Sequence, residues 1–275
     1  MVHLTLRVAT DQAPSTTSLQ ERAPWLDGSG AICARVFRGR GARWIDWPDF
    51  GLFAIPTTGF ETRVWPVSNA DNVSAFFRRR LQPLILQLYG YQSLHASAVL
   101  SSAGAVAFAG LSGMGKSTLA CALRDLEFTQ IADDAVVVDA RSRPVEVRLL
   151  PFAPQLRGDA DGLDALRDEH APLVATAPLA LIVVLNQDAA ADRATFQRLE
   201  GPAACVALMA HAHVFDPSDG MDRFVAEYAA LANDVPVFRL TYRPDFSALP
   251  RLAQAVRDHI VATAAAPRAH SGLAP

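Results

Sequence analysis

The segment Gly110-Leu-Ser-Gly-Met-Gly-Lys-Ser117 fits G-x-x-x-x-G-K-[ST], the pattern of a phosphate-binding loop. Glycines in such a loop let the backbone curl until successive N–H groups point into one anion-sized nest. A helix leaving the loop adds its positive end. In this pattern Lys116 reaches the β- and γ-phosphates of a nucleoside polyphosphate and the Ser117 hydroxyl ligates Mg2+. Of the 25 basic residues, Lys116 is the one lysine and the rest are arginine. Gly110, Ser112, Gly113, Met114, Gly115, Lys116, Ser117 and Thr118 are therefore the candidate nucleotide-binding residues, with ATP and Mg2+ as the expected cofactors.

Asp133-Asp134 follows the expected strand Phe128–Ala132, seventeen residues after Lys116. A carboxylate at a strand end beside the loop can hold Mg2+ through water or accept a proton from an attacking hydroxyl, and two adjacent carboxylates allow both jobs. A plain turn is the alternative, since Asp is common there. His95 opens the strand that precedes the loop strand, where it either faces the crevice at the carboxyl ends of the strands or caps the core. His211 and His213 flank Ala212, a spacing poor for one helical face, and a zinc site there is not expected. Arg223, Arg239 and Arg243 are candidates for stabilising transferring phosphoryl charge, with surface ion pairing as the plainer role.

The elements that must position these residues fall into two stretches. Residues 1–90 hold all four Trp among short β-rich runs (Ile32–Phe37, Arg43–Trp47, Phe50–Ile55, Thr62–Val67), which predicts a small antiparallel sheet or meander. A helix is expected from about Asn72 to Tyr89, with Arg78-Arg-Arg80 on a solvated face. Trp44 and Trp47 are core or a peptide-binding surface. Residues 91–264 alternate: strands at His95–Leu100 and Ala105–Ala109, a helix at Lys116–Leu126, and strands at Phe128–Ala132, Ala135–Asp139, Val145–Leu150, Leu179–Leu185 and Val235–Thr241. Helices are expected at Asp161–His170, Pro202–His211, Asp222–Asn233 and Ser247–Ala264. This alternation predicts an α/β layered domain preceded by a small β-rich domain. Residues 265–275 read as a flexible tail.

Hydrophobic residues make up 51% of the 275 and charged residues 19%, which excludes a largely disordered chain. A net charge of −3 gives no basic field for nucleic acid or anionic lipid, so neither is an expected partner. Three widely spaced Cys make neither a disulfide framework nor a C-x-x-C pattern. The residues from Met1 to Gln20 lack the apolar stretch of a signal peptide, and Leu179–Leu185 is too short to span a bilayer. A soluble, cytoplasmic protein is expected.

Together, His95, the Gly110–Ser117 loop and Ala132-Asp133-Asp134 resemble the HPr kinase/phosphorylase family, whose catalytic domain is similar to that of phosphoenolpyruvate carboxykinases. In that family a His stands fifteen residues before the first loop glycine, as His95 does before Gly110. Leu94-His-Ala-Ser-Ala-Val99 looks especially like the smaller HPr-kinase-like proteins, including kinases of lasso precursor peptides. The resemblance is dense over Leu94–Asp139 and only topological beyond. It implies that Ser117 and one of Asp133 and Asp134 hold Mg2+. The other, Asp133 by preference, acts as general base with His95 tuning it. Bifunctional members carry Glu after the loop serine, whereas this chain has Thr118, and no counterpart of their Arg-Gly-rich downstream segment is found. The resemblance thus implies a dedicated serine kinase acting on a precursor peptide or small protein. HPr as acceptor, a small-molecule kinase and a non-catalytic nucleotide-binding partner are the alternatives, and homo-oligomerisation stays open.

Overall fold

A computed structural model describes residues 4–22, 24–26, 29–39, 41–150, 176–216 and 220–265. The chain divides into two units, one of Met1–Ser93 with His213–Phe224 and one of Leu94–Ala212 with Val225–Pro275. The expected helix Asp161–His170 lies outside the described residues, as do residues 266–275 of the expected tail.

In the first unit the strands are β1 (Thr5–Val8), β2 (Gln20–Glu21), β3 (Trp25–Leu26), β4 (Ile32–Gly39), β5 (Ala42–Trp47), β6 (Gly51–Pro56) and β7 (Glu61–Pro66). They order as β1-β7-β6-β5-β4-β2, with β3 also on β4. The meander β4 to β7 is antiparallel, and β1 joins β7 in parallel. Its register aligns one apolar row across the sheet, Val36↔Ile45↔Phe53↔Val64. All four side chains are buried, each contributing about 1.5–3 kcal/mol. Of the two tryptophans read as core or surface, Trp44 stacks on Trp65 at 5.7 Å and Trp47 meets Phe76 edge-on at 4.6 Å.

The helix expected over 72–89 is α1 (Ala70–Phe76) and α2 (Gln82–Gln87) joined by a π turn, Phe77–Leu81. Asn69 caps α1, its side chain accepting from Asn72 N at 2.8 Å. Pro83 has no N–H to continue the ladder, which accounts for the widened turn just before it.

The first unit is not one stretch of sequence, unlike the expected 1–90. Residues 91–93 and 213–224 join it through His213 N to Ser93 O (2.8 Å), Gln87 Nε2 to His213 O (2.6 Å) and Trp25 Nε1 to Phe215 O (2.9 Å). Asp216, whose side chain is 4% exposed, receives Arg22 at 3.2 Å and Arg43 at 3.8 Å, so its buried charge is paired.

After β8 (Gln92–Leu94), the second unit builds on β9 (Ala96–Ser101) and β10 (Gly104–Ala109), followed by α3 (Lys116–Arg124). Next come β11 (Thr129–Ala132), β12 (Val136–Asp139), β13 (Glu146–Arg148), β14 (Thr176–Gln187), β15 (Thr195–Leu199) and α4 (Gly201–Met209). The chain continues through α5 (Met221–Asp234), β16 (Val237–Tyr242) and α6 (Leu249–Ala265), so Ala265 closes a helix instead of opening a tail. Central β10 is wholly buried between antiparallel β9 and parallel β14, and β16 lies parallel beyond β14. Such a strand reads as a continuous apolar run because both of its faces are covered. One face packs on α3 and α6 through Val106, Phe108, Val183, Leu119, Val256 and Ile260. Parallel β10, β14 and β16 bring their carboxyl ends to one edge, where ligands of α/β sheets bind.

Candidate active site

Strand register assembles the predicted site residues at this edge. Ala96 pairs with Ala109, the last residue of β10, so His95 stands level with Gly110 where the loop begins. Ala132 pairs with Ala98, which sets Asp133 beside β9 as β11 ends. The loop itself turns on glycines: Gly113 and Gly115 have φ of +86° and +74°, the left-handed region that side chains disfavour. Gly115 then caps α3, and Lys116 and Ser117 open that helix.

Lys116 is 6% exposed, with its ammonium donating to the carbonyls of Gly110 at 2.9 Å and Leu111 at 3.0 Å. The charge is thus held over the loop, where polyphosphate oxygens can take it. Ser117 Oγ donates to Asp133 Oδ1 at 2.7 Å, and fully buried Ser97 donates to the same oxygen at 2.5 Å. Asp134 follows at φ +67° with its side chain exposed. The Tyr242 hydroxyl, at the end of β16, donates to the Met114 carbonyl and braces the loop from the other side. Burial raises the Tyr242 pKa, which favours the protonated donor this contact needs.

The residues fit Mg2+. A hydroxyl and a carboxylate in contact supply hard oxygen donors, and Mg2+ takes its other ligands from water and substrate phosphates. Among the described residues, no group of three or more His, Cys, Asp and Glu is placed to hold a metal ion.

Ser97, Tyr242 and His211 belong to this edge although motif reasoning did not single them out for it. The His211 carbonyl accepts from His95 N at 2.7 Å, so the end of α4 is tied to the start of β9. Burial lowers the His211 pKa, and the nearby Lys116 charge lowers it further. Ser97 lay inside the Leu94–Val99 segment that carried the family resemblance, but its contact with Asp133 depends on strand register. Of the arginines weighed, Arg239 lines a cavity of about 660 Å3 beside the loop, Arg243 is exposed just past β16, and Arg223 lies in the first unit.

No protein-family model and no curated protein matches this chain. Among solved structures it is similar to the Hpr(Ser) kinase/phosphatase from Coxiella burnetii, with 14% identity over 62% of this chain and 97% of that one, at a TM-score of 0.38. Among the described residues no helix is long and apolar enough to cross a membrane.

Proposed function

We propose that this chain is a Mg2+-ATP-dependent phosphotransferase of the HPr-kinase-like type. It moves the γ-phosphoryl group to a serine hydroxyl of a peptide or small protein, and a ribosomally made precursor peptide is the first acceptor to test. The observation that carries the reading is the 2.7 Å contact of Ser117 Oγ with Asp133 Oδ1 at the head of α3. It joins the loop's expected metal-binding hydroxyl to a carboxylate that arrives from a different strand. The motif resemblance over Leu94–Asp139 supports the HPr-kinase type.

Loop amides and Lys116 hold the phosphates, and Ser117 with Asp133 would hold Mg2+, which neutralises phosphate charge when bound. Asp133 is buried and already shared by two hydroxyls, whereas Asp134 is exposed. We therefore assign Asp133 to the metal side and Asp134 to the proton, the reverse of the preference that the family resemblance implies. The acceptor oxygen attacks the γ-phosphorus as its proton passes to the Asp134 carboxylate. The bond from that phosphorus to the bridging oxygen breaks, and ADP leaves. Positioning and charge neutralisation supply most of the acceleration.

Intact-mass spectrometry after incubation with Mg2+-ATP tests this, using a serine-containing precursor peptide and HPr as acceptors. One phosphoryl mass on the peptide, lost in Lys116→Ala, is expected. Addition to HPr instead would reassign the acceptor, and ATP binding with no mass gained on either would remove the kinase reading.

A further inference from the structure

The cavity beside the phosphate loop has a composition that polyphosphate does not explain. Leu111 and Met114 of the loop form one wall, and Val206 and Ala207 of α4 form another. Leu111 is 59% exposed and Val206 66% exposed, so two large apolar side chains line one cavity of about 660 Å3. The charged or titratable groups in its lining are Arg239 and His211, with no carboxylate among the lining residues. Arg239 is held by a neutral partner, Gln197 Oε1 at 3.5 Å.

Its position says which substrate it faces. Amides at the head of α3 take the phosphates nearer the nucleoside, while lysine serves the β- and γ-phosphates. The Lys116 ammonium rests on the carbonyls of Gly110 and Leu111, which marks the γ end, and Leu111 itself lines the cavity. His211, at the far end of α4, is bonded through its carbonyl to His95 N, level with Gly110. The cavity therefore flanks the group being transferred and not the nucleoside.

We infer that this cavity is the acceptor subsite and seats an apolar side chain next to the reacting hydroxyl, on a segment that bears a carboxylate and no cation. The inference rests on the phosphotransferase reading above. It excludes basic acceptors, because the Arg239 and Lys116 charges would both oppose them.

The test uses the full chain, Mg2+-ATP and three N-acetylated glycine hexapeptides with a free C-terminus. Each contains one serine, and they differ in the residue beside it: leucine, aspartate or lysine. Leucine should exceed lysine in kcat/KM by roughly tenfold or more, the discrimination an apolar pocket gives. Val206→Asp, at an exposed position, should lower kcat/KM for the leucine peptide about tenfold through KM, with the affinity for a fluorescent ATP analogue unchanged within about twofold. Val206→Leu should retain the leucine preference. Weakened nucleotide binding in Val206→Asp would give the cavity to the nucleoside and overturn the inference, as would equal rates on all three peptides. Nucleotide binding without transfer to any peptide would instead remove the phosphotransferase reading on which the inference rests, as would wild type that binds no nucleotide.

Discussion

The Ser117 hydroxyl donates to Asp133 Oδ1 at 2.7 Å, across a separation of sixteen residues that takes in β11 and all of α3 but its first residue. The contact gives the two neighbouring aspartates different surroundings, one buried against the loop and one exposed. A division of labour between metal and proton follows from that difference, and it can be separated experimentally.

Asp133→Asn should lose transfer by roughly 100-fold or more, and excess Mg2+ should recover part of it, because the variant keeps one oxygen but not the charge. Asp134→Asn should lose transfer by about 10²–10⁴-fold with no recovery, the range for a removed general base. Both should keep nucleotide affinity within a few fold. Mg2+ titration of transfer rate reads the difference, and recovery in Asp134→Asn alone would reverse the assignment.

Ser97 supplies a test of how the metal-side carboxylate is held. Its hydroxyl is fully buried and bonds Asp133 Oδ1 at 2.5 Å. Ser97→Ala leaves that oxygen one donor short, a loss of about 1–3 kcal/mol. The half-saturating Mg2+ concentration should rise, while Ser97→Thr, which retains a hydroxyl, should stay near wild type. If Ser97→Ala changes thermal stability but not Mg2+ dependence, the residue acts only in packing.

The parts legible in the sequence were those fixed by local pattern. The loop's glycines, the apolar Ala105–Ala109 run and the following helix mark β10, the nest and α3, and the structure matches them to within one or two residues. The two-residue strands β2 and β3 carry no periodicity to read, and β15 alternates weakly as Thr-Phe-Gln-Arg-Leu. Ser97 against Asp133, and His95 level with Gly110, are consequences of β9 register with two neighbours, which one strand's sequence does not encode. The return of residues 213–224 to the first unit depends on hydrogen bonds to Ser93, Gln87 and Trp25, partners more than a hundred residues away.

Gly115 and Tyr242 report on the loop's preorganisation. Gly115 has φ +74°, and a Cβ there would stand 3.3 Å from the Tyr242 hydroxyl. Gly115→Ala should destabilise the protein by about 1–2 kcal/mol, the left-handed penalty for a residue with a Cβ. In a Tyr242→Phe background the same substitution should cost less, because the hydroxyl it crowds is gone. Urea unfolding of the four proteins measures the coupling. Equal costs in both backgrounds would show that backbone conformation alone sets the requirement for glycine.

His211 makes nucleotide affinity depend on pH with a definite sign. Burial and the Lys116 charge lower its pKa from the ordinary 6.5, so near neutrality the ring is unprotonated in the free protein. Polyphosphate bound at Lys116 offsets the ammonium charge and moves the His211 pKa back up. The complex then binds more protons than the free protein, and by linkage affinity rises as pH falls through the window below 6.5. Well above that window the ring is neutral in both states and contributes nothing. The last proton of ATP titrates in the same region, so the informative quantity is the difference between wild type and His211→Gln, measured by calorimetry from pH 5.5 to 8 (roughly the range over which histidine titrates). Wild type should gain affinity more steeply on acidification than His211→Gln, with matching proton uptake on binding. Superimposable profiles would mean that the ring does not sense the phosphates.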